Sequence, residues 1–201
     1  MGRKLLAGVL GGLAFFAWSS IAHVLLPLGQ TGIQEIPNEQ AVVSSMKANI
    51  TADGFYYFPG SGLPPTATQS EKMAAMRDQA SKHYAGPGGI LIYHPVQSLD
   101  LRPQQLLTEL GANILQILLA VFLLGQTSLA GFVSRWRFIT VAGVLSAIST
   151  NISYWTFYGF PGNYTLAYMC IIAMGFVFAG LVAAALVKPG AGMPLAKGAG
   201  A

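Results

Sequence analysis

Charged side chains are the scarcest class of residue in this sequence. They make up 9% of the 201 residues, whereas soluble domains carry about 25%. No Asp, Glu, Lys or Arg occurs in residues 5–34, 110–134 or 138–187. The last of these stretches is long enough for two membrane spans of about 20 residues each. The composition therefore indicates a protein that faces lipid.

Cysteine and histidine are also scarce, and this limits the chemistry available. Cys170 is the only cysteine, so no intrachain disulfide can form. Its place in an apolar run is typical of a small buried hydrophobe. His23 is the only histidine in an apolar run, which excludes a haem held by histidines from two facing spans. A haem held by His23 and a methionine, either Met169 or Met174, stays open.

The basic residues do not form a nucleic-acid surface. The formal net charge is +4, and clustered bases on one face are the usual sign of nucleic-acid binding. Here the bases form neither a run nor a stripe. We therefore expect a lipid bilayer, and no nucleic acid, as a partner.

Four apolar stretches predict a membrane all-α protein, a four-transmembrane-helix bundle with a small α+β extracytoplasmic domain between helices 1 and 2. The predicted segments are transmembrane helix 1 with a short cytoplasmic N-terminus (1–28), the extracytoplasmic domain (29–105), helix 2 (106–125), a cytoplasmic loop (126–137), helix 3 (138–158), an outer turn (159–163), helix 4 (164–187) and a flexible cytoplasmic tail (188–201). Asp100 is the candidate N-cap of the second helix, and Pro103 stands in its first turn.

The first apolar stretch has a second interpretation, a cleaved signal peptide with Ser20 and Ala22 before the cut. Signal peptides have an apolar region of about 7 to 15 residues. This region is longer and continues past the cut as VLLPL. The length favours a retained helix.

The distribution of bases predicts that both termini are cytoplasmic, because cytoplasmic segments carry an excess of Lys and Arg. Residues 29–105 hold five bases and six acids, and Glu109 is the remaining acid. The segments assigned to the cytoplasm hold six bases and no acid, namely Arg3, Lys4, Arg135, Arg137, Lys188 and Lys197. Tyrosines and a tryptophan near residues 154–168 fit an aromatic belt at the outer boundary.

The extracytoplasmic domain is predicted to mix short helices and strands. Residues 37–50 and 68–84 show helical spacing of apolar side chains, and Thr68 with Glu71 forms a capping-box pattern. The segments GFYYF (54–58) and ILIY (90–93) are rich in aromatic and β-branched residues and predict two neighbouring strands. We expect the intervening helix, with Met73 and Met76 on its apolar side, to cover one face of this sheet.

Three stretches, WSSIAHVLLPLG, IPNEQAVVSSMKANITADGFYYFPG and YWTFYGFPGNYTLAYMCIIAMGFVFAGLVAAALVKP, resemble an uncharacterised bacterial inner-membrane protein family with four transmembrane helices. The resemblance covers most of the chain. It implies a location in the bacterial inner (plasma) membrane and the same topology. It implies no activity and no catalytic residues.

The candidate ligand-binding residues converge on the outer boundary of the spans. They are Trp18, His23, Tyr154, Trp155 and Tyr158, together with the turn at residues 159–163. Aromatic rings with a few polar anchors are the usual make-up of a ligand pocket. The alternative is an aromatic belt that only fixes helix depth, with His23 bonded to a neighbouring helix or to interfacial water.

A second group of polar residues lies within the spans themselves, with Glu109 at the outer start of span two. Such groups usually bond helix to helix, and a substrate path is the alternative. The group comprises Asn113, Gln116, Ser146, Ser149, Thr150, Asn151 and Ser153. The pattern formed by Gly8 and Gly12 allows close helix approach, either within the chain or between subunits.

His83 and His94 flank a Gly-Pro-Gly-Gly turn in the outer domain. With Asp53 or Asp78 they could bind a metal, but the spacing matches no known metal motif. Ordinary surface histidines are the alternative. We therefore expect no metal site and no cofactor.

The sequence favours a non-catalytic integral membrane protein, an accessory or scaffold subunit with an outward-facing interaction domain, in a membrane protein complex or a homo-oligomer. The first alternative is a small-molecule or lipid binding or transport module. The second is a redox or metal-binding membrane subunit.

Overall fold

The computed structural model describes residues 2–64, 66–96 and 102–187. The chain divides into two compact units, one of residues 1–33 with 100–201 and one of residues 34–99. We call the first the helical unit and the second the inserted unit. In chain order the elements are α1 (Gly2–Ser20), α2 (Glu39–Asn49), β1 (Gly54–Phe58), α3 (Gln69–Ala85), β2 (Gly89–Tyr93), α4 (Pro103–Leu124), α5 (Phe132–Tyr158) and α6 (Gly162–Leu186).

The helical unit contains the long apolar helices that the sequence predicts. Four helices of the described chain are long and apolar enough to cross a membrane: Gly2–Leu25, Pro103–Leu124, Phe132–Tyr158 and Gly162–Leu186, of 24, 22, 27 and 25 residues. Each exceeds the roughly 20 residues that a bilayer core requires. The coarse prediction of a mostly helical, multi-pass membrane protein is therefore confirmed.

Two helix starts differ from the prediction. The N-cap of α4 is Arg102 rather than Asp100, which lies outside the described residues, and the Arg102 backbone N–H donates to Gln105 Oε1 over 3.0 Å. Helix α5 begins at Phe132, inside the segment predicted to be a loop. The helix continues through Arg135 and Arg137, and the guanidinium of Arg135 finds hydrogen-bond acceptors.

One of these acceptors, the carbonyl of Ala184, lies at the carboxyl end of α6, and the other, the carbonyl of Ala130, lies just before α5. Arg135 as a whole residue is only 9% exposed. Its guanidinium donates to Ala184 O from both Nε (3.2 Å) and Nη2 (3.0 Å), and its Nη1 donates to Ala130 O. Arg3 Nε donates to Leu186 O over 3.2 Å. The last carbonyls of a helix lack intrahelical partners and carry partial negative charge, so two cations stabilise this end.

Glycines allow α1 to lie close to α4. A Cβ at Gly12 would come within 2.5 Å of Ile114 Cα, and one at Gly8 within 2.3 Å of Leu118 Cδ2. Any side chain at Gly12 would therefore push the two backbones apart. The Gly8 and Gly12 pair, left open by the sequence, packs within the chain. Helix α1 also packs on α6, and α6 packs on α5.

The core of the helical unit lies where the start of α1, the end of α4, the start of α5 and the end of α6 meet. Its buried residues are Ala7, Phe15, Ile117, Ala120, Val121, Leu124, Ile139, Phe176, Ala179, Ala183 and Val187. Outward side chains such as Val141 and Leu145 are apolar and exposed, as lipid contact requires. Cys170 is also exposed, so its predicted burial is wrong: in a helix that is apolar on all sides, hydropathy does not show which side faces inward.

The inserted unit follows the predicted order of elements. Strands β1 and β2 pair antiparallel, with Gly54 opposite Tyr93 and Phe58 opposite Gly89. The capping box also forms, since Thr68 N donates to Glu71 Oε2 over 2.7 Å and Glu71 N donates to Thr68 Oγ1 over 3.3 Å.

The apolar side chains of α3 do not behave as predicted. Met73 and Met76 are exposed, so this part of the helix leaves the sheet uncovered. Charged and polar residues make up most of α3 (QSEKMAAMRDQASKHYA), and they leave too narrow an apolar face to hold the helix on the sheet. Among the described residues of the inserted unit, Tyr93 is the only buried one.

Candidate ligand cavity

A cavity of about 690 Å³ opens among the four long helices of the helical unit. It lies at the end formed by the last turns of α1, the first half of α4, the second half of α5 and the first half of α6. Its apolar wall includes Phe15, Phe16, Leu106, Ile171 and Ile172, and its polar lining comes from all four helices.

His23 lines the cavity from a wider helical turn that directly follows α1. Residues Ile21–Leu25 form a π-helical turn, a geometry often found at functional sites. The Nδ1 atom of His23 lies 2.8 Å from Ser19 O. A carbonyl oxygen can only accept, so Nδ1 carries the proton and donates it. The Nε2 atom of the neutral ring is then left as an acceptor.

The chain holds this histidine closely after the turn. A Cβ at Gly29 would lie 2.6 Å from His23 Cδ2, so only glycine allows residues 27–30, a short 3₁₀ turn, to fold back against the ring. The ring of Tyr168 meets His23 edge-on, with centroids 5.7 Å apart and planes at 78°. His23 is thus positioned by α1, the following turn and α6 together.

Among the described lining residues, the one carboxylate comes from helix α4. Leu106, Glu109, Asn113 and Gln116 all line the cavity, and their spacing places them on one face of a helix. Asn113 is 1% exposed, and its Nδ2 donates to Glu109 Oε1 over 3.3 Å. By the helical rise, Gln116 lies about 20 Å along α4 from Pro103, so the polar lining extends well into the span.

Helix α5 contributes Ser146 and Thr150, one turn apart on the same face. The three other polar residues predicted on this helix do not line this cavity. Ser149 lies on an exposed apolar groove with Val141 and Leu145, and Asn151 donates from Nδ2 to Ala147 O over 2.9 Å. Ser153 is exposed and does not line the cavity. Of the polar group named from the sequence, the cavity therefore gathers Asn113, Gln116, Ser146 and Thr150.

The structure places the five candidate residues of the outer boundary in different surroundings. Of them, only His23 lines the cavity. Trp18 is turned to α6, where its indole Nε1 donates to Ile171 O over 2.9 Å. Tyr154 and Tyr158 contact each other with ring centroids 5.8 Å apart, and Trp155 is exposed.

A row of aromatic rings nevertheless links Tyr154 to His23. The ring centroids of Tyr154 and Phe160 are 5.3 Å apart in a stacked pair, and those of Phe160 and Tyr164 are 5.4 Å apart. Tyr164 in turn stacks on Tyr168, with ring centroids 4.3 Å apart. Tyr168 then contacts His23. Phe160 belongs to the predicted turn at residues 159–163. The sequence places Tyr168 only in the interfacial belt, although its spacing of four from Tyr164 indicates a shared helix face.

The histidines of the inserted unit do not assemble a metal site in the described part of the chain. His94 Nδ1 lies 2.9 Å from Asp53 Oδ1, and both side chains are exposed. No group of three His, Cys, Asp or Glu side chains is close enough to hold a metal among the described residues. The side chain of His83 lies outside the described part. Neither Met169 nor Met174 lines the cavity with His23.

Comparisons with known protein families, curated proteins and solved structures find no match to this chain.

Proposed function

We propose that this chain is a multi-pass protein of a bacterial inner membrane that binds a small amphipathic molecule in the cavity between its long helices. The observation that carries the proposal is the cavity itself, whose volume of about 690 Å³ falls within the range of about 300–1,000 Å³ typical of small-molecule sites. Its walls combine aromatic and aliphatic side chains with a few polar groups.

Unpaired polar side chains in the lining support a binding role. Gln116, Ser146 and Thr150 line the cavity, and none makes a hydrogen bond to another described residue. A serine or threonine in an apolar helix commonly bonds back to a carbonyl one turn earlier, as Ser20 Oγ does to Phe16 O over 2.9 Å. Polar groups left unpaired in a membrane are costly. An amphipathic ligand would supply the missing partners.

The orientation in the membrane is part of the same proposal. Both termini are cytoplasmic, and residues 29–105 are extracytoplasmic. Support comes from the bases: Arg3 and Arg135 both donate to carbonyls at the carboxyl end of α6, so they lie at the same end of the helical unit. A cytoplasmic end rich in Arg is what the positive-inside rule requires. The cavity then opens toward the extracytoplasmic half.

Two neighbouring serines of α5 test the binding role. Ser146→Trp would fill the cavity, whereas Ser149→Trp would place the same ring on the exposed groove. Native mass spectrometry of the protein in mild detergent should show a bound small molecule on the wild type and on Ser149→Trp, and none on Ser146→Trp. Equal ligand content in all three proteins, or no ligand on any, would count against the cavity as a binding site.

A second proposed function, the accessory or scaffold subunit, is favoured by the inserted unit. Tyr93, at 9% exposure, is its only buried described residue, while Ile92 is 65% exposed. A two-stranded sheet is marginally stable without further packing. A partner complex at the outer face would cover this apolar sheet.

This second function has its own test. A mild-detergent pull-down from the native host should recover a defined complex with the wild type and with Val96→Ser, whose residue is exposed just beyond the sheet. Ile92→Ser should lose that complex. A monomeric protein with no partner would contradict the accessory function and leave the cavity unaffected.

A further inference from the structure

The charge of the cavity is unbalanced. Apart from His23, Glu109 is the only titratable carboxylate or base among the described lining residues, and no Lys or Arg is among them. The carboxylate accepts a hydrogen bond from Asn113 and makes no ion pair with another described residue. Glu109 is exposed near the start of α4, and an ionised carboxylate close to hydrocarbon is stabilised when a cation accompanies it. The protein itself does not supply that cation in the described residues.

Three hydrogen-bonding groups of the lining have already used a donor within the chain. His23 uses its Nδ1–H on Ser19 O, Asn113 uses Nδ2 on Glu109, and Ser20 uses its hydroxyl proton on Phe16 O. What these groups still offer to the cavity is mainly lone pairs: the ring Nε2, the amide oxygen and the serine oxygen. A ligand that donates hydrogen bonds therefore finds acceptors around His23, Ser20 and Asn113, while Gln116, Ser146 and Thr150 offer both donors and acceptors.

The remaining wall suits an apolar body beside that donor. Phe15, Phe16, Ile171 and Ile172 line the same cavity, as does the ring of Tyr168. Aromatic faces attract a nearby ammonium group, and the aliphatic wall favours a hydrocarbon part. A ligand carboxylate or phosphate would face Glu109 with no Lys or Arg to offset the repulsion.

We propose that the ligand of this cavity is an amphipathic amine, bound as an ammonium ion whose nitrogen lies at Glu109 and whose apolar part lies against Phe15, Ile171 and Ile172. This inference rests on the proposed function of the cavity as a small-molecule site. It adds the class of ligand, which is cationic and donates hydrogen bonds.

Three probes with one carbon skeleton isolate the charge: 4-phenylbutylamine, 4-phenylbutan-1-ol and 4-phenylbutanoate. Each is added to the full-length wild-type protein in lipid nanodiscs at pH 7, and its Kd is measured by calorimetry with empty nanodiscs as the blank. The amine should bind at least about tenfold more tightly than the alcohol, because charge-assisted hydrogen bonds are stronger than neutral ones. The carboxylate should bind more weakly than the alcohol.

A variant pair assigns this preference to one side chain. Glu109→Gln should lower the affinity for the amine about tenfold and leave the affinity for the alcohol unchanged, which also shows that the cavity is intact. Glu35→Gln removes an exposed carboxylate of the inserted unit and should change neither affinity.

The outcomes separate the two proposals. If no probe binds, both the binding function and the ligand class fail. If the alcohol or the carboxylate binds as tightly as the amine, or if Glu109→Gln keeps the preference for the amine, the ligand class is overturned while the cavity stands as a binding site. If Glu109→Gln does not fold, the comparison of the three probes on the wild type still decides the ligand class.

Discussion

The side chain of Arg135 has two separate structural roles. By its charge it helps to define the proposed cytoplasmic side, and by its hydrogen bonds it caps the carboxyl end of α6. The sequence alone reveals the positive charge, because it follows from the residue type. The second depends on which carbonyls come within reach, and only the packing of α5 on α6 determines that.

Replacing Arg135 should therefore cost stability. Arg135→Ala removes hydrogen bonds to Ala184 O and Ala130 O, and we expect a loss of about 1–3 kcal/mol, since buried carbonyls lose a charged partner. Thermal denaturation in detergent or unfolding in SDS measures it. Arg137→Ala removes the same charge from an exposed position and should have little effect. Equal losses for both variants would indicate that charge alone matters.

Glu71 gives a pH dependence at the residue level. Its hydrogen bonds with the Thr68 side chain and backbone lower the pKa of the carboxyl below its usual 4.5. A carboxyl group whose pKa is lower in the folded state than in the unfolded state stabilises the fold at pH values above the unfolded pKa. This stabilisation is lost as the pH falls through the pKa of the folded state. The first turn of α3 should therefore loosen in acid, below about pH 4.5.

The carboxyl ¹³C signal of Glu71 tests this directly by NMR titration. In the wild type the midpoint should lie below 4.5. Thr68→Val removes the hydroxyl, which is the larger cause, and should move the midpoint up toward the usual value. Glu39, an exposed acid in the first turn of α2, serves as the reference signal. A midpoint that does not change with Thr68→Val would rule out the hydroxyl as the cause.

At the level of elements, the sequence predicts short strands and long helices well, because their patterns are local. The strand at Gly54–Phe58 has the bounds that aromatic content and flanking glycine indicate. The start of α5 and the π-helical turn at Ile21–Leu25 were not predicted, since each depends on contacts distant in the chain. The close approach of α1 to α4 is predicted only in part from the sequence. The glycines predict that some helix packs against α1, and the structure shows that this helix is α4.

Replacing Gly12 and Gly111 by alanine should change the stability of the protein in opposite directions. At Gly12 the new Cβ would meet the backbone of Ile114, whereas at Gly111 it would meet nothing within 4 Å. Gly12→Ala should destabilise the helical unit by about 1–3 kcal/mol through overpacking. Gly111→Ala should stabilise α4 by up to about 1 kcal/mol through helix propensity. Unfolding in SDS measures both, and a stable, unaltered Gly12→Ala protein would contradict the α1–α4 contact.

At the level of the whole molecule, hydropathy is enough to predict four long apolar helices but not their rotation about their axes. Ser146 and Ser149 illustrate the limit. They are equivalent by composition, yet one lines the cavity and the other lies on an exposed groove. Helix α5 carries polar residues on several sides, so its sequence does not identify an inward face. The sequence therefore points to the boundary aromatics as the candidate site, whereas the cavity extends deeper along α4.

The proposed orientation predicts which sites a membrane-impermeant thiol reagent can reach. In a Cys170→Ala background, Ser61→Cys should be labelled on intact spheroplasts, and Ser128→Cys only after the membrane is permeabilised. Both residues are exposed, so accessibility within the fold does not separate them. Labelling at position 128 but not at position 61 would reverse the orientation.

The helical unit is hollow in one half and solid in the other. The cavity occupies the half containing the end of α1 and the start of α4, while Ala7, Val121, Leu124, Ala183 and Val187 close the opposite half with buried side chains. Under the proposed binding function, a ligand in this cavity would find no passage through the packed half. In this conformation the protein would then hold its ligand instead of moving it across the membrane.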